Sequence, residues 1–219
     1  MQKLRIRYQK REKASYLSHL DINRIFSRAF SRADIPIAFS NGFNPRPLFS
    51  FSMPLSLFYQ SKSEFLDFES DMEKEEIKKR LNEKLPSGIR VDLVYEPLEK
   101  LSAMQSFCYR LEITFQKALA DDDIKEMQSL FLKSELILLK KTKRGEEETD
   151  ILPLIENVLF LRSGENSVTV QAILFCCDNK SLNPEYLVKA VTKHLPDLTV
   201  ELFQAEKQCV YGKNDEIFE

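Results

Sequence analysis

Hydrophobic and polar residues alternate over several short stretches of this chain and recur at helical spacing over others. The first alternating stretch is 3–8, where apolar side chains share one side and basic side chains the other. The apolar members are Leu4, Ile6 and Tyr8, and the basic members are Lys3, Arg5 and Arg7. A repeat of two is typical of a half-buried strand, so this stretch predicts a strand with a basic open face.

A helical repeat follows the next polar loop. Apolar residues recur at steps of three and four from Ile22 to Ala33, which predicts one buried stripe on an α-helix. Ser18 is a favourable N-cap, and Asp21 can complete a capping box. The helix should end near Asp34, because the residue before a proline disfavours helical backbone. Its outer side carries a row of arginines four residues apart: Arg24, Arg28 and Arg32.

The segment 41–47 predicts a stiff turn. Asn41-Gly42 suits a backbone with positive φ, and Pro45 and Pro47 lack the N–H groups of a central strand. The turn also carries Phe43, Asn44 and Arg46. A planar cation and an aromatic ring on a rigid loop suit phosphate binding and base stacking. The alternative is a tight turn in which Phe43 belongs to the core and Arg46 pairs with a carboxylate.

The rest of the first half continues in short alternating and helical stretches. We predict strands at 37–40, 48–58 and 89–95, and a helix at 73–85. The segment 63–70 is either an additional outer strand or an extension of the strand 48–58. With the first strand and helix, this gives the order βαββαβ with an insertion in the middle.

The second half repeats this order. We predict strands at 107–115, 135–140, 151–161, 167–176 and 198–205, and helices at 121–133 and 183–194. The charged segment 140–149 predicts a hairpin tip or a flexible loop. Two consecutive βαββαβ halves predict a tandem ferredoxin-like α+β protein with antiparallel sheets. We therefore expect domains at 1–98 and 103–206 and a polar tail at 207–219.

Composition indicates an ordinary globular protein. The chain has 219 residues, of which 43% are hydrophobic and 30% are charged, so a disordered tail protein is excluded. No apolar run approaches the roughly 18 residues of a membrane span, and residues 1–8 do not resemble a signal peptide. We expect a cytoplasmic protein that does not enter the membrane.

Metal and cofactor chemistry has little support in the sequence. The four cysteines, Cys108, Cys176, Cys177 and Cys209, form no CxxC pair, and His19 and His194 are the only histidines. Adjacent Cys176 and Cys177 predict one or two buried reduced thiols. With five glycines and no Walker-type or GxGxxG loop, a phosphate cradle is not expected. We expect no metal and no cofactor.

Charge is distributed unevenly. Residues 1–60 carry ten Lys and Arg against three acidic residues, a net charge of +7, so the remainder carries −9 of the total of −2. A basic block on an acidic body indicates a local polyanion site, although a solvated face without a ligand is the alternative. On ferredoxin-like folds the open face of the sheet often binds RNA, and this comparison rests on the fold alone. The predicted anion-binding residues are Arg5, Arg7, Arg24, Arg28, Phe43, Asn44 and Arg46.

Five short motifs in the first 70 residues resemble a known family. They are Tyr16-Leu17-Ser18-His19-Leu20-Asp21, Ile35-Pro36-Ile37-Ala38-Phe39-Ser40, Gly42-Phe43-Asn44-Pro45-Arg46-Pro47, Ser50-Phe51-Ser52-Met53-Pro54-Leu55 and Glu64-Phe65-Leu66-Asp67. This pattern resembles the radical SAM-associated (radical SAM-linked) domain family of unknown function. The match is specific over 3–70 and loose thereafter.

The resemblance implies an accessory role. Members of that family stand beside radical SAM enzymes or are fused to them, yet this chain lacks the CxxxCxxC that would hold the cluster. The family usually has histidine at the position of Arg46. A role that needs a titrating imidazole there is therefore not expected, whereas anion binding remains compatible.

Three functions follow as hypotheses. The first is a non-catalytic accessory module that binds RNA through the basic surface. The second is an RNA-processing nuclease that uses His19, which lies at the positive end of the predicted helix but has no evident acid or base partner in the sequence. The alternative for His19 is a purely structural role in the turn.

The third hypothesis is a protein-interaction subunit that binds a radical SAM protein through 48–58 or the acidic second half. The sequence sets neither the oligomeric state nor the identity of the RNA.

Overall fold

The computed structural model describes residues 1–142, 145–176, 181–213 and 216–218. The described chain divides into two compact units, Met1–Ala103 and Met104–Phe218. Each unit has its own set of strands and its own pair of α-helices, and each is described by itself below.

The first unit is a ferredoxin-like fold. Its strands lie in the order β4-β1-β3-β2, and all neighbouring strands are antiparallel. This order and the succession βαββαβ confirm the fold class predicted from the sequence. The elements are β1 (Gln2–Lys10), α1 (His19–Arg32), β2 (Ser50–Phe51), β3 (Gln60–Ser70), α2 (Lys74–Lys84) and β4 (Ile89–Tyr95).

The core of this unit lies between the sheet and the two helices. Leu4, Ile6 and Tyr8 are buried on one side of β1, as their alternation predicts. Helix α1 packs its apolar stripe against them, and the rings of Tyr8 and Phe26 meet edge to face at 4.8 Å. Helix α2 adds Ile77 and Leu81, the buried residues of its apolar side.

The region between α1 and β3 has less strand than predicted. The predicted strand 48–58 is reduced to β2, Ser50–Phe51, and the predicted strand 37–40 to an isolated bridge between Phe39 and Pro47. Prolines at 45, 47 and 54 remove backbone donors, and Phe58 has a φ of +69°, so the chain cannot pair continuously here.

The second unit repeats the topology with one insertion. Four of its strands lie in the order β10-β5-β9-β8, again antiparallel throughout, and a separate hairpin of β6 and β7 follows the first helix. The elements are β5 (Ser106–Phe115), α3 (Asp121–Leu130), β6 (Ile137–Thr142), β7 (Gly145–Asp150), β8 (Ile155–Arg162), β9 (Ser167–Phe175), α4 (Glu185–His194) and β10 (Val200–Tyr211).

Two predictions for the second unit need comment. The charged segment 140–149 belongs to the β6–β7 hairpin, although 143 and 144 lie outside the described residues, as does Cys177. The predicted polar tail from 207 is wrong at its start, because β10 continues to Tyr211 in pairing with β5. Phe218 is also buried, and its N–H donates to the Val210 carbonyl at 2.9 Å.

Within the described residues, no helix is long and apolar enough to cross a bilayer.

Candidate functional site

The opening strand does not present a basic platform. Arg5 is fully buried and forms a two-pronged ion pair with Asp67, with Nε to Oδ1 at 2.6 Å and a guanidinium nitrogen to Oδ2 at 3.0 Å. The same guanidinium donates to the Glu99 carbonyl at 2.8 Å. The expectation that Arg5 faces solvent is therefore wrong, because alternation fixes the face of a strand but not whether that face is covered.

The neighbours of Arg5 on this face are also engaged. Lys3 is exposed, and its Nζ lies 3.2 Å from Asp67. Arg7 is half-buried, opposite Phe65 of β3 and Leu93 of β4. Because Arg5 is internal and Lys3 is paired, the open face of β1 contributes little free positive charge.

The outer side of α1 carries free positive charge. Arg24, Arg28 and Arg32 are exposed, as their four-residue spacing predicts. Arg24 has a partial counter-ion, with one guanidinium nitrogen 3.7 Å from Asp21, and Arg32 donates to the Lys84 carbonyl at 2.9 Å. No ion pair of Arg28 is found among the described residues. Arg28 is thus the most available of the predicted helix cations.

Arg28 lines a groove that the sequence did not reveal, which we name the basic groove. Its cations are Lys13, Arg28, Arg32 and Lys84, and its other lining residues are Ala14, Leu17, Ile25, Pro86 and Ser87. The groove has a volume of about 440 Å³, and no carboxylate is among its described lining residues. Four cations gathered in one groove make the local electrostatic potential positive. Lys13, Arg32 and Lys84 were not predicted as site residues, because they come from a short 3₁₀-helix (Glu12–Tyr16), the end of α1 and the end of α2.

The predicted turn forms a separate feature on a different part of the unit. The Ser40 N–H donates to the Arg46 carbonyl at 2.8 Å, and the Arg46 N–H donates to the Ser40 hydroxyl at 3.0 Å. Gly42 has a φ of +124°, as predicted for Asn41-Gly42. Phe43, Asn44 and Arg46 are all exposed, so the alternative of a core Phe43 is wrong. In the described part of the chain, the Arg46 guanidinium has no carboxylate partner.

These positions divide the predicted anion-binding residues into three groups. Arg5 is internal, Arg28 lies in the basic groove, and Phe43, Asn44 and Arg46 lie on the turn outside the groove lining. Arg24 lies on the exposed side of α1, outside the groove lining, and Arg7 lies half-buried on β1. The sequence predicted one convergent patch, whereas the structure separates these residues and gathers Arg28 with Lys13, Arg32 and Lys84 in the basic groove.

A second feature is a small polar pocket at the start of α1, which we name the His19 pocket. Ser18 and Asp21 form the predicted capping box, in which the Asp21 N–H donates to the Ser18 hydroxyl at 3.2 Å and the Ser18 N–H donates to Asp21 Oδ2 at 3.0 Å. The hydroxyl and N–H of Ser18 lower the pKa of Asp21 by hydrogen bonding to its carboxylate. His19 follows the cap, half-buried, with its ring 5.3 Å from the Phe51 ring.

The His19 pocket gathers ionisable groups from three elements. Besides His19 it is lined by Tyr8, Lys10 and Glu64, each less than 5% exposed, and by Ile22 and the residues of the segment 51–55. Tyr8 and Glu64 are direct cross-strand partners. Burial and the Glu64 carboxylate raise the pKa of Tyr8 well above its usual value. The space inside is about 10 Å³, which is the room that one water needs.

Sequence reasoning missed the lysine, the glutamate and the tyrosine of this pocket. Tyr8 was predicted as core on β1, and Lys10, two residues further along the same strand, lies on the same side as Tyr8. Glu64 could have been found, since it begins one of the five motifs of the first 70 residues. His19, the segment 51–55 and Glu64 show that three of those motifs meet in one place.

Across residues 1–142, 145–176, 181–213 and 216–218, no group of three or more His, Cys, Asp or Glu is arranged to hold an ion.

The element order and strand order of the two units define a tandem ferredoxin-like α+β protein. The chain belongs to the family described as "Uncharacterized protein conserved in bacteria (DUF2344)", whose model matches residues 3–184. No curated protein matches the sequence.

Solved structures resemble the fold at very low sequence identity. One chain of a Cbf5-Nop10-Gar1 complex matches with a TM-score of 0.56 and 8% identity over 94% of this chain and 48% of that chain. This protein thus spans about half the length of that chain, and the likeness shows the fold alone. An unknown protein from Galdieria sulphuraria matches with a TM-score of 0.27 and 10% identity over 94% and 98% of the two chains.

Proposed function

We propose that this protein is a cytoplasmic, non-catalytic accessory module of a radical SAM system that binds RNA in the basic groove. The observation that carries the RNA part is the set of four cations around one groove without a lining carboxylate. Exposed cations in a concave site raise the local potential, and phosphates are the common polyanion that such a site attracts.

The composition of the groove favours RNA over a small anion. A volume of about 440 Å³ is larger than a single phosphate needs, and Leu17, Ile25 and Pro86 offer apolar surface to sugars or bases. The exposed Phe43 ring and the Arg46 guanidinium on the turn can add stacking and phosphate contact to a strand that reaches them.

Removing groove cations should weaken RNA binding. Each phosphate contact on a single strand gives a salt slope of about 0.7, equivalent to about fivefold in affinity at about 0.1 M salt, so the double variant Lys13→Ala/Arg28→Ala should lose about 25-fold. Fluorescence anisotropy with a labelled single-stranded RNA measures this.

A matched control removes two cations from the same unit. The variant Lys74→Ala/Lys78→Ala deletes lysines whose Nζ atoms lie 2.7 Å from Glu96 and 3.5 Å from Glu75, so these charges are already compensated. It should bind RNA like the wild type. Equal losses in both double variants would contradict a site in the basic groove.

The radical SAM part of the proposal rests on the family resemblance and on an exposed apolar cluster beside α1. Tyr16 and Phe58 are 68% and 65% exposed, and their rings meet edge to face at 5.5 Å. The Phe58 N–H donates to the Ser15 carbonyl at 2.9 Å, which holds Phe58 beside the segment that contains Tyr16. An exposed cluster of aromatic and aliphatic side chains is typical of a protein interface.

Co-expression with a radical SAM protein of the same bacterium tests this association. The wild type should co-purify at moderate salt, and Tyr16→Ser/Phe58→Ser should not. Leu98→Ser, at a residue that is 95% exposed elsewhere in the same unit, is the control and should co-purify. Absence of any complex with the wild type would contradict the association.

A second candidate function is RNA cleavage at the His19 pocket. The observation that favours it is that Tyr8, Lys10 and Glu64 line the same pocket as His19, which supplies the acid and base partners that the sequence alone did not show. General acid–base catalysis needs such groups within hydrogen-bond reach of the reacting atoms.

A further inference from the structure

The second unit holds two cysteines on neighbouring strands. Cys108 of β5 and Cys209 of β10 are direct partners in the antiparallel register, both are half-buried, and neither is in a disulfide. The register shifts between Lys207 and Cys209, so that Gln208 has no partner on β5. Without this bulge Gln208 would oppose Cys108, so the bulge is what places the two thiols together.

Their placement fits a disulfide. Directly opposed residues of antiparallel strands have Cα atoms about 4.5–5.5 Å apart, and disulfides span Cα separations of about 4.4–6.8 Å. The two thiols are close enough that each shifts the pKa of the other. The third free cysteine of the described chain, Cys176, is buried and has neither of them as its register partner.

The surroundings distinguish the two thiols. The Cys108 S–H and the Tyr211 O–H both donate to Cys209, and against the opposing effect of burial they lower the pKa of Cys209 to about 6. The same hydrogen bond holds the Cys108 proton and raises the pKa of that thiol. Tyr211 retains its proton, because its hydrogen bond to Cys209 raises its pKa to about 12. Cys209 is therefore the nucleophile, and Cys108 the thiol beside it.

We propose that Cys108 and Cys209 form a reactive dithiol that small disulfides of the glutathione type oxidise to a cross-strand disulfide. The Cys209 thiolate attacks one sulfur of glutathione disulfide, the S–S bond breaks, and one glutathione thiolate leaves. Cys108 then loses its proton to solvent and attacks the Cys209 sulfur, and the second glutathione thiolate leaves. Two protein thiols are thereby oxidised by two electrons, and one glutathione disulfide is reduced to two glutathione molecules. This site is independent of RNA binding in the first unit.

The test equilibrates the folded, full-length chain with glutathione disulfide and reduced glutathione, quenches with acid and maps peptides by mass spectrometry. The double variant Cys176→Ser/Cys177→Ser serves as the background, so that Cys108 and Cys209 are the only cysteines of the sequence. The expected product is one peptide pair joined through Cys108 and Cys209, lighter than the reduced pair by two hydrogen atoms.

Two single variants in this background assign the roles. Cys108→Ser should stop at the mixed disulfide of glutathione with Cys209, because no second thiol resolves it. Cys209→Ser should abolish the protein disulfide and leave Cys108 largely unmodified over the same time. Circular dichroism confirms that each variant is folded before it is scored.

Two results would overturn the proposal. One is a folded protein that forms no Cys108–Cys209 link at any glutathione ratio. The other is an equal rate of glutathione addition to Cys209 in the Cys108→Ser variant and to Cys108 in the Cys209→Ser variant, or a slower rate at Cys209. In that case Cys209 would not be the more reactive nucleophile of the two.

Discussion

Replacing Asp67 with alanine is expected to lower the free energy of unfolding of the first unit by about 3–5 kcal/mol, the cost of leaving a buried charge without its partner. Arg5 is fully buried, and its guanidinium forms a two-pronged ion pair with Asp67 and a hydrogen bond to the Glu99 carbonyl. Alanine removes the carboxylate and leaves the cation inside. Urea denaturation of the full chain measures the change.

A double variant separates this effect from simple loss of packing. Arg5→Met/Asp67→Leu removes both charges and retains similar volume, so it should recover most of the stability that Asp67→Ala loses. Lys3→Ala serves as a surface control, because Lys3 also lies 3.2 Å from Asp67 but is exposed, and it should cost less than about 1 kcal/mol. A stability loss below about 1 kcal/mol in Asp67→Ala would contradict the structural role of the pair.

Replacing His19 with alanine is expected to reduce any RNA cleavage by about 10²–10⁴-fold, the usual contribution of a positioned acid or base. His19 is half-buried at the first position of α1, in a pocket whose lining includes the buried Lys10 and Glu64. Cleavage of a labelled RNA by the wild type and the variant, with binding measured in parallel, gives the comparison.

Glu64→Gln is the companion variant, because it keeps the shape of the side chain and removes its charge. It should also slow cleavage, whereas both variants should bind RNA like the wild type, since neither residue lines the basic groove. Binding without turnover in the wild type and in both variants would exclude the enzyme and leave His19 with a structural role. A further variant, Arg46→His, introduces the histidine that is usual in the family at this position and tests whether it changes RNA binding or RNA cleavage.

The repeated fold could be predicted because its determinants are local. The alternation of β1, the capping box of Ser18 and Asp21 and the stripe from Ile22 to Ala33 each depend on a few neighbouring residues, and all are present in the structure. The length of β2 and the residue at which β10 ends could not be predicted from such local patterns. Pairing of a strand depends on a partner far away in sequence, and the buried Phe218 holds the end of the chain to Val210.

The candidate site could be predicted only in part. Arg28 was found because helical spacing places it on the outer side of α1, but Lys13 and Lys84 join it through folding of segments that are far apart in sequence. Arg5 was misplaced because its partner Asp67 lies 62 residues away, and no local pattern shows that a sheet face will be covered. The pairing of Cys209 with Cys108 was missed because a bulge at Gln208 shifts the register of β10 against β5.

The central proposal is that phosphates of RNA bind the cations of the basic groove. Its most direct test is the slope of log affinity against log salt concentration for the wild type, Lys13→Ala/Arg28→Ala and Lys74→Ala/Lys78→Ala. If all four groove cations contact a single strand, the wild-type slope should be about −2.8, the groove variant should lose about 1.4 of it, and the control should keep it all. A flat wild-type response, or equal slopes in all three proteins, would contradict the proposal.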